Sequence, residues 1–229
     1  MSSHNAGSMS PRRSFLGQMA VGAAAVAAGS MLPATAARAG SRTPVSGEGD
    51  EPWLKGYTGS RHKVIYDAPE VNSGFPLIFA LTYINTMTNT YMLKPTDTSV
   101  VVVMRHMGIA AALSDPVWAK YKLGEVFNVT DPETKQPSLR NIFYKAHEGD
   151  MMTTDASAEK LLARGVRICV CNVALTVLSG KVAGGMGIAP ADALKEWTAG
   201  VIPGAYVVPS GVLAVARSQE AGATYCFAG

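Results

Sequence analysis

GVRICVCNVALTVLSG, residues 165–180, is the stretch whose reading decides the fold. Its first half is a short β-branched run, suited to a strand buried on both faces; its second half, from Asn172, reads as a helix that follows without a loop. A strand passing straight into a helix is half of a βαβ unit, and such units imply a parallel sheet. The same alternation recurs on both sides. HKVIYDAP (62–69) predicts a strand, and GFPLIFALTYINTMTNTYML (74–93) a helix whose apolar residues recur at three and four. TSVVVVMRH (98–106) holds the continuous run Val100 to Val103, and GIAAALSDPVWAKY (108–121) follows as a helix broken or kinked at Pro116.

Downstream, DASAEKLLARG (155–165) predicts a helix with Asp155 or Ser157 as its cap and Gly165 as its stop. The helix opened at Asn172 is expected to end before GGMGIAP (184–190), and a further helix follows in ADALKEWTAG (191–200). AYVVPSG (205–211) gives a fourth strand, GVLAVARSQEAG (211–222) a helix, and ATYCFAG (223–229) a terminal strand. The expected class is α/β and flavodoxin-like: a mostly parallel five-stranded sheet with helices on both faces.

Three segments stand outside this alternation. Residues 122–154 are polar, hold Pro132 and Pro137 and lack periodicity, so they read as an insertion or lid, not a core element. Residues 40–60 are rich in Gly, Ser, Pro and charge and read as a flexible N-terminus of the mature chain. Residues 1–39 carry Arg12 and Arg13 before Phe15 and Leu16, then the alanine-rich run from Met19 to Leu32, then Ala37-Arg38-Ala39 before Gly40. That is the layout of a twin-arginine export signal with an A-x-A cleavage site. The expected location is therefore the periplasm, with no stable membrane insertion after cleavage.

Charge follows the same division. Of 20 Lys and Arg residues, Arg12, Arg13 and Arg38 precede Gly40, leaving 17 basic residues against 17 acidic ones in the remainder. A neutral chain has no basic face with which to displace counterions, so nucleic-acid binding is not expected. Three cysteines, Cys169, Cys171 and Cys226, are an odd number for an oxidising compartment. A Cys169–Cys171 bridge is disfavoured, because side chains two apart on a strand run parallel; Cys226 could pair only if the last strand lay close.

In open parallel sheets, ligands bind beyond the carboxyl ends of the strands. There the sequence places Asp67 and Asn72, then Arg105 and His106, then Cys171 and Asn172, then Ser210. Cys171 sits where strand becomes helix, so backbone amides and the positive helix end face its sulfur; Cys169 falls inside the strand, buried. Cys171 is thus a candidate nucleophile, with His106 to orient or deprotonate it. Arg105, Asn72, Asn172 and Ser210 are candidate binding groups. The competing reading makes Cys171 a small core residue and His106 a strand-end cap. Met104, His106 and Met107 could suggest copper, but methionine commonly fills core gaps, and no metal site or cofactor is called for. H-E-x-x-H, G-x-S-x-G and the dinucleotide-binding glycine pattern are all absent.

From His62 to Gly229, with a gap for the insertion, the chain resembles the DsrE-like family of sulfur-relay proteins. The resemblance is carried by VRICVCNVAL (166–175), VVVVMRHMGIAAAL (100–113) and, most specifically, IPGAYVVPSGVLAVARSQEAGATY (202–225). It implies a small α/β domain that forms homo-oligomers or hetero-oligomers, and a cysteine persulfide that relays sulfane sulfur with a donor or acceptor protein or a small sulfur compound. The family cysteine falls on Cys171. Arg105 would then favour a thiolate or an anionic donor such as thiosulfate. The alternative expectation is a noncatalytic module that binds a small ligand or partner at the same rim; a third, an exported metal or haem protein, would announce itself by colour or metal content.

Overall fold

A computed structural model describes residues 51–55, 57 and 59–229; the expected export signal and residues 40–50 lie outside the described residues. Five strands form one sheet: β1 (His62–Ala68), β2 (Thr98–Met104), β3 (Arg167–Cys171), β4 (Tyr206–Val208) and β5 (Thr224–Phe227). Their order is β4-β3-β2-β1-β5 and every pairing is parallel. Seven α-helices accompany them among the described residues: α1 (Phe75–Asn89), α2 (Asp115–Lys120), α3 (Leu123–Val126), α4 (Ala158–Ala163), α5 (Asn172–Met186), α6 (Pro190–Ala199) and α7 (Gly211–Glu220). The fold is the flavodoxin-like α/β class expected from the alternation. Its strand order differs from the 2-1-3-4-5 of flavodoxin itself. No described helix is long and apolar enough to cross a membrane.

Chain direction explains the layers. β1 to β4 step one way across the sheet, and the intervening helices pack on one face against Val64, Tyr66, Val100, Val102, Ile168 and Val170. The return from β4 to β5 lays α7 on the other face, where Ala214 packs with Ile65, Val101, Val103, Cys169 and Val208. Right-handed crossovers require this change of face when the direction reverses. Strand β2, in the middle of the sheet, is therefore apolar on both sides, with Val100 to Val103 at most 2% exposed. Each such valine contributes about 1.5–3 kcal/mol by leaving water.

Local expectations are corrected at three places, and one open alternative is decided. Pro116 does not break a helix; it lies in the first turn of α2, where its missing N–H is not needed, and the stretch before it is a 3-10 helix over His106–Ala112. The helix from Asn172 runs through Gly184 and Gly185 to Met186, because the stop is Gly187, in the left-handed conformation at φ 67°. Ser157, not Asp155, caps α4, accepting from the Lys160 amide at 3.4 Å. The described part of the expected flexible N-terminus is not a loose leader: Trp53 and Tyr57 are buried against the α7 face, and the Tyr57 hydroxyl donates to the Val64 carbonyl at 3.3 Å.

The segment 122–154 is likewise part of the core, not a lid. Ile142, Phe143 and Met152 are buried in the larger apolar cluster, and the Phe143 ring lies 6.2 Å from that of Trp118. Asn141 fastens the segment by donating to the carbonyls of Ala111 at 2.9 Å and Leu113 at 2.7 Å. Its polar character is spent inside itself: Arg140 donates to Asp131 at 2.8 Å and, through both terminal nitrogens, to Asp150 at 2.9 and 2.6 Å. Burial alone would raise both carboxyls, but hydrogen bonds from the guanidinium and from backbone amides prevail and hold them below the usual carboxylate value.

A depressed folded-state value stabilises the protein above the unfolded carboxylate value, and that contribution is lost as the pH falls through the lower folded one. Trp118 fluorescence should therefore report loosening of this segment on acidification below about pH 4. Arg140→Met should remove that acid-sensitive step and cost about 3 kcal/mol at neutral pH, since it strands two carboxylates; urea unfolding at pH 7 and pH 3.5 measures both.

Candidate functional site

The register lines up the carboxyl ends of the strands. Ala68 pairs with Met104, Met104 with Val170, and Cys171 with Val208, so Arg105 follows β2 beside Cys171 at the end of β3, and Ser210 lies two residues past Val208. At this rim the chain also divides: β3 feeds α5 on one face, whereas neighbouring β4 feeds α7 on the other. Adjacent strands whose connections leave to opposite faces create a crevice between them. A cleft of about 370 Å³ opens there, lined by Arg105, His106, Cys171 and Ser210 together with apolar side chains of the surrounding elements. That volume is in the small-molecule range.

Cys171 is the N-cap of α5, and its Sγ accepts from the Ala174 amide at 3.4 Å. The sulfur takes the place usually held by a Ser, Thr or Asp oxygen, answering one otherwise unpaired first-turn N–H. Cys171 is 5% exposed. Cys169, two residues earlier, is fully buried in the α7-side cluster, and burial pushes its thiol far up. Cys226 lies on β5, with β2 and β1 between it and β3, about 14 Å at ordinary strand spacing. That is beyond disulfide reach, and all three thiols are free.

Arg105 is fixed from behind. Its Nε and Nη2 donate to the two carboxylate oxygens of Asp67 at 2.6 and 2.9 Å, and the Tyr225 hydroxyl donates to the same carboxylate at 2.9 Å. Asp67 is 3% exposed, so this is a near-buried ion pair joining the ends of β1 and β2 to β5. Its hydrogen bonds hold Arg105 above its ordinary value, so the guanidinium stays charged. The remaining terminal nitrogen, Nη1, lies 3.1 Å from Nδ1 of His106, which accepts when that nitrogen carries no proton. His106 is exposed and has φ 44°, the left-handed turn that takes the chain off β2 into the 3-10 helix.

Of the six site residues expected from the sequence, four meet at the cleft: Cys171, His106, Arg105 and Ser210. Asn72 and Asn172 do not line it. Asn72 donates to the Ala228 carbonyl at 3.4 Å, holding the chain after β5, and Asn172 is exposed and gives its backbone carbonyl to Thr176. Two residues escaped sequence reasoning. Tyr225 carried no local signal, because its role depends on β5 pairing with β1. Gly211 is required by close approach: a Cβ there would lie 2.6 Å from Cβ of Arg105 and 3.2 Å from Cβ of Cys171. Its position directly after Ser210, at a helix start, was the available hint. No group of three or more His, Cys, Asp or Glu side chains among the described residues could hold a metal ion.

No family model matches the chain, and no curated protein matches it. Among solved structures it is similar to MTH1491 from Methanobacterium thermoautotrophicum, a protein of unknown function, at 17% identity and a TM-score of 0.37, over 72% of this chain and 98% of that one.

Gly211→Ala should force Arg105 or the start of α7 to move, at a cost of about 1–3 kcal/mol, and should change the alkylation rate of Cys171. Val212→Ala, at a neighbouring position 63% exposed, should leave stability within about 0.5 kcal/mol. Equal unfolding midpoints and equal alkylation rates for Gly211→Ala and wild type would contradict the close packing assigned to this position.

Proposed function

We propose that this protein is an exported, DsrE-like carrier that accepts and passes sulfane sulfur as a persulfide on Cys171. The observation that carries the reading is the position of that sulfur: at the first turn of α5, in a cleft at the point where the sheet's connections diverge. A carrier thiol must be reachable by its donor, yet a persulfide must be shielded from adventitious thiols. A sulfur that is largely buried but lines a cleft meets both needs. In the transfer step the Cys171 thiolate attacks the outer sulfur of a donor S–S bond. An Sγ–S bond forms, the donor bond breaks, and the electron pair leaves with the donor thiolate. Arg105 and His106 stand beside the site as fixed polar groups, and the first-turn amide of Ala174 orients the sulfur.

The family resemblance around Cys171 supports the same reading, and the leader before Gly40 supports a periplasmic location, with a sulfur donor or acceptor and further copies of the chain as partners. Turnover is not required of a carrier; loading and unloading suffice. The apolar share of the cleft wall favours a second reading, a noncatalytic small-ligand site in which Cys171 only packs.

Intact-mass measurement of the mature protein after brief treatment with polysulfide, then alkylation and peptide mapping, separates the two. Expected is a gain in steps of one sulfur mapped to Cys171, abolished by Cys171→Ser, with Cys169 unmodified until unfolding. Cys226 is also only partly buried and is expected to alkylate in either case, so mapping is essential. Cys171 unmodified in the folded protein would overturn the carrier and leave the ligand site.

A further inference from the structure

The walls of the cleft and the state of its one guanidinium together restrict what can deliver sulfur to Cys171. Met107 follows β2, Val173, Ala174, Val177 and Leu178 belong to α5, and Val212 faces them from α7, so each element that bounds the cleft contributes apolar surface. Val173 and Val177 are four apart and share a helix face, and they remain 54% and 60% exposed, as does Val212 at 63%. Exposed β-branched side chains on both sides of one crevice leave apolar area that a bound molecule can cover. Among the described residues no carboxylate lines the cleft, and its guanidinium is not free: Arg105 is met by both oxygens of Asp67, with Tyr225 completing that carboxylate, and its remaining terminal nitrogen faces His106.

A sulfur oxyanion entering such a site would strip water from its strongly hydrated sulfonate end without gaining an uncommitted side-chain counter-charge, which is costly. A molecule with an apolar body would instead recover the free energy of covering Val173, Val177 and Val212. Resting on the persulfide reading above, we infer that the donor accommodated at Cys171 is a low-molecular-weight organic hydropersulfide, R–S–SH, whose apolar R group packs in the cleft, and not a sulfur oxyanion such as thiosulfate. The step balances without a further reagent. The Cys171 thiolate attacks the terminal sulfur, an Sγ–S bond forms to give the Cys171 persulfide, the donor S–S bond breaks, and R–S⁻ departs with the electron pair. Cys171 is oxidised to the persulfide level as the donor is reduced to the thiolate. This replaces the expectation that Arg105 recruits an anionic donor.

The test compares initial rates of sulfur uptake on Cys171, read by mapped mass, from benzyl hydropersulfide, methyl hydropersulfide, thiosulfate and inorganic tetrasulfide, in wild type and in Val177→Asn. Wild type should take sulfur from the benzyl donor at least about tenfold faster than from the methyl donor, the discrimination expected of an apolar pocket, and thiosulfate should be slower still. Val177→Asn should collapse the benzyl-to-methyl ratio, and an unchanged far-ultraviolet circular dichroism spectrum and urea midpoint, expected at a position 60% exposed, show that the variant is folded. A ratio near one, a ratio unaffected by Val177→Asn, or a thiosulfate rate matching the benzyl rate overturns the organic-donor inference and leaves Cys171 as a sulfur acceptor. No sulfur on Cys171 from any donor overturns both.

Discussion

The site exists because a right-handed chain that steps across a parallel sheet and then returns must change faces. β1, β2, β3 and β4 are laid down in one direction, so their connecting helices share a face; the return to β5 passes over the opposite one. The change falls between β3 and β4, and there the first turns of α5 and α7 part. The resulting crevice needs no inserted lid. It is bounded by two helix starts, and whatever residues end β2, β3 and β4 become its floor. Cys171, Arg105 and Ser210 occupy those endings.

Behind the crevice, Asp67 decides what Arg105 can do. A carboxylate 3% exposed is costly unless fully bonded, and Arg105 and Tyr225 supply three donors to it. Such a pair is weak evidence for net stability, but it fixes three strand ends in one arrangement and keeps the guanidinium from swinging toward a ligand. The cleft therefore combines a fixed, internally neutralised polar corner with apolar walls. Gly211 permits this geometry by letting the α7 backbone approach Arg105 and Cys171 more closely than any side chain would allow.

The remaining elements show how far polarity can mislead. Residues 122–154 have the composition of a surface loop, yet Arg140 with Asp131 and Asp150, and Asn141 with backbone carbonyls, neutralise that polarity internally and let Phe143 and Met152 enter the core. Likewise Trp53 and Tyr57 sit in a stretch of glycine and charge but cover the sheet face that α7 leaves open. In both cases satisfaction of polar groups at long range, which no local window contains, made burial possible.

What the sequence by itself determined is local. The β-branched runs at Val100–Val103 and Ile168–Val170, each followed by helix-forming segments, specify buried parallel strands, and parallel strands put their carboxyl ends on one rim. Arg105, His106, Cys171 and Ser210 were legible as candidates for that reason alone. Strand order was not, because it depends on which apolar faces find each other across the whole chain. Only the tertiary structure decided that two strands separate Cys226 from β3, that Asn72 and Asn172 do not line the cleft, and that Tyr225 reaches Asp67. Backbone periodicity is written in neighbouring residues, whereas the Arg105–Asp67 pair joins residues 38 apart in sequence and the Tyr225–Asp67 hydrogen bond residues 158 apart, and Gly211 approaches side chains of two other strand ends.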